Sequence, residues 1–555
     1  MANQNQKLET LLNAALQATP EEFNRSSLLS TGYDAETSTW ELIIKSTLPI
    51  EPFLKDYPAI AYQPLLFGYG IMRLPENLLS IVSSIPNISY IEKPKRLFFE
   101  VTQGKRSACI SSLQNQNQTL YSGRDTLVAI IDTGIDYTHP EFLDENGNTR
   151  ILSIWDQTLN QIYTSEVINA ALNAHTTAER FAICPSTDFT GHGTHVAGIA
   201  AGNRGVAYEA KLLIVKLGAP LPNSFPSTSQ LMLAIDFCLR ESLRLNAPIA
   251  INLSFGNNYG AHSGTSLLET YLEEACLTSR SSIVVGTGNE GVGLGHATGT
   301  TQSPVVEFSI GPLESSISLQ VWSYYWDSIQ FSIETPIANE NIVIPNIPGA
   351  YRFSLSRCNL FVYYGEPSPF SIFRELFVEL LPKDNYLPEG IWKITGIGGT
   401  FECYLPGRNE RGNLTEFLTP NPNTTLTIPS TSSRVISVGA YDAYNLTLAP
   451  FSGRGPIFGN PYAKPDLVAP GVNISSSVPG NQYEIRSGTS MATPFVTGSC
   501  SIMMQWGIVE KNDPFLYGDK IKAYLCAGCN PLPAYTSYPN PDVGFGALCL
   551  RKSLP

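Results

Sequence analysis

The chain has 555 residues, of which 43% are hydrophobic and only 15% charged, and its formal net charge is −13. That length allows several domains and a large core, while the acidic balance, without any basic block, argues against nucleic acid or an anionic membrane as the main partner. No stretch reaches the roughly 18–20 apolar residues of a membrane span, and residues 1–23 (MANQNQKLETLLNAALQATPEEF) lack a basic region followed by an apolar one, so the expectation is cytoplasmic synthesis without an ordinary export leader.

Residues 1–100 read as a small α+β unit. Glu41–Thr47 and Leu66–Leu74 are strand-like, Pro75–Ile85 has Pro at a helix start, and Ile88–Glu92 and Arg96–Glu100 are strand-like again. The polar stretch 101–123 reads as a linker. From 124 to 301 the texture changes. Short apolar strands (DTLVAIIDTG, AKLLIVKLG, APIAINLSFG, SSIVVGTGNEG) alternate with helical segments over Thr194–Ala201, Ser229–Asn246 and Leu267–Ser279. This pattern predicts an α/β fold with a doubly wound parallel sheet, and in such sheets function collects at the carboxyl ends of strands. Residues 302–430 alternate apolar and polar over long runs, which predicts an all-β insert of sandwich or jelly-roll type. Trp322, Tyr324, Tyr325 and Trp326 within it fill a core or face the neighbouring domain, with a carbohydrate platform as the other reading. The α/β texture resumes over 431–555.

Ten cysteines stand at 109, 184, 238, 276, 358, 403, 500, 526, 529 and 549. Without an export leader they read as mostly free and buried. Cys526-Ala-Gly-Cys529 has no second pair at zinc-ribbon spacing, so no metal is assigned to it.

Three clusters carry chemistry. Asp132 ends an apolar strand in Asp-Thr-Gly, where a carboxylate can be held rigid and desolvated; alone it also reads as a strand-ending turn. His192 stands in GHGTHVAG with glycine on both sides, leaving room for a substrate backbone. The spacing to His195 and the missing Glu do not fit the metalloprotease pattern, and His195 falls inside the helix as a structural residue. In SGTSMATP, Ser487 suits a turn, Thr489 is stiff at χ1, and Ser490 stands at the helix entry, where backbone N–H groups and the dipole favour an oxyanion. Alone, Ser490 also reads as a helix cap. A serine needs a base, the base needs a carboxylate, and the transition state needs preorganised donors; Asn289 in GTGNEG supplies a side-chain amide at a strand end.

Together VAIIDTGID, GHGTHVAGIAAG, GTGNEG and SGTSMATPFVTG resemble the subtilisin-like serine proteases (subtilases, peptidase family S8) over about 124–300 and 431–550. The resemblance implies a triad of Asp132, His192 and Ser490, and an oxyanion hole of Asn289 with the Ser490 N–H. It also implies a substrate pocket bordered by Ser254, Phe255, Gly256 and Gly288. Residues 1–100 resemble a subtilase propeptide. Propeptide, core, β insert and absent leader together resemble the Csp germination proteases of clostridial spore formers. That implies an endopeptidase that cuts its own propeptide, keeps it bound, and activates a zymogen such as a spore cortex hydrolase, with spore association. A general protease without a spore role, and a pseudoprotease scaffold, are the alternatives. The junction is expected near 98–104, with Gln103-Gly104 favoured. Glu141 aligns with a position that is often a calcium ligand, but one carboxylate is no site, so no cofactor is assigned. The implied partners are peptide or protein substrates and the propeptide, without nucleic acid or membrane. The oligomeric state is left open.

Overall fold

The computed structural model describes residues 7–20, 23, 32–35, 37–64, 68–93, 100–114, 121–218, 226–278, 280–337, 340–459 and 464–554. It divides into two units, Met1–Phe98 and Phe99–Pro555.

The first unit is α+β. Its antiparallel sheet runs Tyr33–Asp34, Thr39–Ser46, Tyr69–Pro75, Ala61–Pro64, and Ile88–Glu92 pairs with the other side of Thr39–Ser46. Strict alternation along Thr39–Ser46 sends Trp40, Leu42 and Ile44 inward, onto the helices Thr10–Gln17 and Leu79–Ser84. Of the strand expected over 96–100, residues 96–99 lie outside the described residues, and Glu100 begins a helix instead.

The second unit is built on a nine-stranded sheet. Its central strands Ile436–Asp442, Ser281–Gly286, Ile249–Leu253, Leu127–Asp132, Lys211–Lys216 and Ile151–Asp156 are all parallel. These strands are buried on both faces, which is why they read as unbroken apolar runs. Along Leu127–Asp132, Val128 and Ile130 face one core, and Leu127, Ala129 and Ile131 face the other. The helices His192–Ala201 and Thr489–Met504 share the first core, while Thr228–Leu245 and Leu267–Thr278 cover the opposite face. Both motif-bearing helices therefore lie on one side of the sheet.

The stretch expected to be a linker instead carries the helices Glu100–Ser107 and Ser111–Gln114, with Ala108 and Ile110 fully buried in the first core. Their two apolar side chains are too sparse to show periodicity. Cys109 is disulfide-bonded to Cys549 across 440 positions, and the other eight cysteines are free, seven of them buried.

The β insert is a two-sheet sandwich. One sheet has six strands from His296–Gly299 to Gly349–Ser354, the other five from Asn341–Val343 to Glu416–Phe417, and all pairings are antiparallel. Leu319, Val321 and Val378 pack against Phe308, Phe331 and Trp392 between the layers. The four aromatics do not act as one group. Tyr324 packs on Phe373 and Phe458, whereas Trp326 stacks on Tyr324 at 4.7 Å and stays 66% exposed. The insert begins and ends at one place: Asn421 N donates to His296 O at 2.9 Å, and Phe417 N to Leu294 O at 3.0 Å.

Candidate active site

Asp132 is the last residue of its strand and its side chain is 2% exposed. Its Oδ1 accepts from Thr133 N at 2.8 Å and from His192 Nδ1 at 2.7 Å. Its buried Oδ2 has no hydrogen-bond partner. A desolvated carboxylate satisfied on one oxygen only is a strong field source for the ring it touches. The His192 pKa is accordingly raised, first by the Asp132 charge and against the effect of burial. Donation from Nδ1 leaves Nε2 as the basic nitrogen.

His192 opens its helix, and close approach to the Asp132 strand depends on the residue after it. A Cβ at Gly193 would lie 2.1 Å from Gly134 O. The helix start is held by Asp188, which the motif reading did not single out. Asp188 is 5% exposed. Its Oδ1 accepts from Gly191 N and Thr133 Oγ1, and its Oδ2 from Thr194 N and Thr194 Oγ1. Thr133 Oγ1 in turn accepts from Gly193 N. One carboxylate thus ties the helix to the Asp132 strand. An acidic residue just ahead of a helix start is a capping signal that the sequence did carry. His195 is buried and donates from Nε2 to Glu484 O at 3.0 Å, the structural role expected of it.

Ser490 is the second residue of Thr489–Met504, a helix buried almost throughout. Pro494 has no N–H for the carbonyl four residues back, which is that of Ser490. Ser254 Oγ fills the gap, donating to Ser490 O at 3.2 Å. The Ser490 hydroxyl donates to Ser254 O at 2.9 Å, and no hydrogen bond joins it to His192 among the described residues. Resting catalytic contacts of this kind tighten when substrate is present.

Asn289 Oδ1 accepts from Thr489 N at 3.1 Å and Thr489 Oγ1 at 3.3 Å, so the amide is locked with Nδ2 free to donate. A Cβ at Gly488 would lie 3.6 Å from Asn289 Nδ2 and 3.7 Å from Ser490 N. The two donors therefore lie near one another beside Ser490, where preorganised N–H groups could serve an oxyanion.

Ser254, Phe255 and Gly256 follow the strand Ile249–Leu253, and Gly288 follows Ser281–Gly286. Gly256 and Gly288 close on the same side chain, Thr427. A Cβ at Gly256 would lie 2.5 Å from Thr427 Oγ1, and one at Gly288 2.3 Å from Thr427 Cγ2. Gly288 also has φ +81°, a conformation suited to glycine. Thr427 lies beside turn-rich sequence, and nothing local marked it as the side chain on which these glycines close. Glu141 accepts from Tyr483 OH at 2.7 Å and Arg204 N at 2.8 Å, so both its oxygens serve protein donors and its surroundings do not fit a calcium site. Gln103 and Gly104 lie within the helix Glu100–Ser107, not in the extended backbone that a protease cleft accepts.

A strand-end carboxylate, a paired histidine and a serine heading a helix beside an amide donor define the subtilisin-like catalytic arrangement. Residues 123–315 and 409–526 match the subtilase family, and the chain belongs to it. Residues 6–95 match the Csp protease B prodomain. The structure is similar to that of the CspB protease of Clostridium perfringens, with TM-score 0.76 and 37% identity, covering 81% of this chain and 96% of that one. Together these matches place the chain among Csp-type subtilases. It is also 24% identical over 414 residues to the minor extracellular protease Vpr of Bacillus subtilis (strain 168), covering 69% of this chain and 46% of that protein. With the serine protease AprX of the same organism it is 35% identical over 153 residues, covering 24% and 32%. The chain spans less than half the length of these two relatives.

Proposed function

We propose that the chain is a serine endopeptidase that works through an acyl-enzyme. Ser490 Oγ gives its proton to His192 Nε2 and attacks the scissile carbonyl. Asp132 orients the ring and stabilises the imidazolium. Asn289 Nδ2 and the Ser490 N–H receive the oxyanion, His192 protonates the leaving amine, and water repeats the cycle on the ester. The observation that carries this reading is the 2.7 Å contact between His192 Nδ1 and buried Asp132.

The finer reading is a Csp-type germination protease. It cleaves and retains its N-terminal unit, carries a jelly-roll-type insert, and activates a zymogen such as a cortex hydrolase in the spore. The prodomain match and the structural similarity to CspB support it. The scaffold alternative is favoured by one feature only, the Ser490 hydroxyl resting on Ser254 O.

The intact mass of the purified chain beside Ser490→Ala tests the proposal. Two fragments from the parent and one full-length species from the variant are expected. A parent that stays whole and does not react with a fluorophosphonate would support the scaffold instead.

A further inference from the structure

Residues 104–110 contribute nothing to the catalytic site, yet they are pinned at three places. A Cβ at Gly104 would meet the Phe495 ring, in the Ser490 helix, at 2.3 Å. Lys105 Nζ donates to Gly205 O at 2.8 Å, just past the end of the His192 helix. Cys109 is bonded to Cys549. The segment is a strap across elements adjoining both catalytic helices, and the disulfide fastens it. Cys109 has φ 56°, a left-handed conformation that a non-glycine residue adopts at a cost.

Both cysteines line an open cavity of about 660 Å³, together with Arg106, Asn530, Arg551 and Lys552. The three cationic residues are exposed, in a chain of net charge −13. Asn530 joins charge to sulfur: its Oδ1 accepts from Lys552 Nζ at 2.7 Å and its Nδ2 donates to Cys109 Sγ at 3.5 Å. The volume admits a small molecule, the charge favours an anion, and the disulfide in the wall is an electrophile for thiolates.

We propose that Cys109–Cys549 is a thiol-exchange site addressed through this basic cavity by a small anionic thiol, and that opening it releases the strap. The incoming thiolate attacks Cys109 Sγ, which Asn530 holds at the polar wall. The Cys109–Cys549 bond breaks, and Cys549 leaves with the electron pair as a thiolate, beside Arg551 and Lys552, and then takes a proton from water. A second small thiolate attacks the small-molecule sulfur of the mixed disulfide, and Cys109 leaves as thiolate and is protonated. Two protein sulfurs are reduced, and two small thiols are oxidised to their disulfide.

The test treats the full chain with 2-mercaptoethanesulfonate or with uncharged 2-mercaptoethanol, then traps thiols with iodoacetamide and follows Cys109 and Cys549 by peptide mass. The sulfonate is expected to open the bond about tenfold faster at low salt, and the contrast is expected to vanish at about 1 M salt. It is also expected to vanish in Arg106→Gln/Arg551→Gln/Lys552→Gln, whose altered side chains are all exposed. Equal rates for the two thiols, a contrast that survives charge removal, or no opening in the folded protein would overturn the site. Hydrogen exchange over 104–114 is expected to rise on reduction and in Cys549→Ser. Unchanged exchange on reduction would overturn the strap.

Discussion

Ser254 and Ser490 hold each other by a reciprocal pair of hydrogen bonds: Ser490 Oγ to Ser254 O, and Ser254 Oγ to Ser490 O. The second bond answers a defect created by Pro494, which cannot donate to the carbonyl of Ser490. Ser254 thus completes the helix that carries Ser490, and its carbonyl accepts from the Ser490 hydroxyl. Ser254→Ala removes only the first service, leaving a part-buried carbonyl without a donor. A loss of about 1–3 kcal/mol is expected, read as a lower midpoint in urea unfolding, with a smaller effect on kcat. An unchanged midpoint would show that water replaces the donor.

The Asp132 charge raises the His192 pKa above its ordinary 6.5. The base works only when unprotonated, so kcat/KM is expected to fall as pH drops through a value above 6.5. Asp132→Asn removes the charge; kcat is expected to drop about 10⁴-fold, and the residual acid limb to move to lower pH. A pH–rate profile on each protein decides this, and an acid limb at the same pH in both would contradict the assignment of the field to Asp132.

Asp188 acts on the reaction only through His192. Asp188→Ala frees two backbone donors at the helix start and uncouples Thr133, so a stability loss of roughly 2 kcal/mol is expected. Misplacing the base by about 1 Å is expected to lower kcat about 100-fold with KM little changed. Asp188→Asn keeps the shape and part of the acceptor set, and is expected to recover part of kcat. A variant that loses stability while keeping kcat would reduce Asp188 to a simple cap.

Thr427 closes on Gly256 and Gly288, and its Oγ1 is buried without a hydrogen-bond partner. If these glycines border the primary pocket, Thr427→Gly enlarges it. Peptides with a bulky residue on the acyl side are then expected to gain about tenfold or more in kcat/KM relative to small ones. A peptide library cleaved by parent and variant with identical preferences would move the pocket elsewhere.

Burial lowers the His195 pKa from 6.5 to about 4. Above 6.5 the ring is neutral in both folded and unfolded chains. Between about 6.5 and 4 only the unfolded chain binds the proton, so stability is lost as pH falls through that window, by about 3 kcal/mol in all from this group. Urea unfolding of parent and His195→Gln at pH 7 and pH 5 measures it, and the variant is expected to show the shallower fall.

Legibility followed how local each signal was. The parallel strands were readable because each is an unbroken apolar run, and Asp132, His192, Asn289 and Ser490 because each sits in its own short motif at a strand or helix end. Asp188 was within reach as a capping residue but was masked by the histidines beside it. Thr427 and Ser254 Oγ matter only through contacts that the fold creates. The Cys109–Cys549 bond spans 440 positions and leaves no spacing signature. The segment around Ala108 and Ile110 looked like a tether because its polar residues outnumber the two side chains that anchor it.

The sandwich enters and leaves the second unit where Asn421 meets His296 and Phe417 meets Leu294. To the sheet and helices carrying Asp132, His192 and Ser490, that whole appendage is one closed loop, clamped at its neck. Loop-closure entropy grows only slowly with length, so its size hardly taxes the positions on either side. Asn289 and Ser490, far apart along the chain, are mechanically near neighbours. The neck, and not the sandwich beyond it, fixes where the chain re-enters on its way from Asn289 to Ser490.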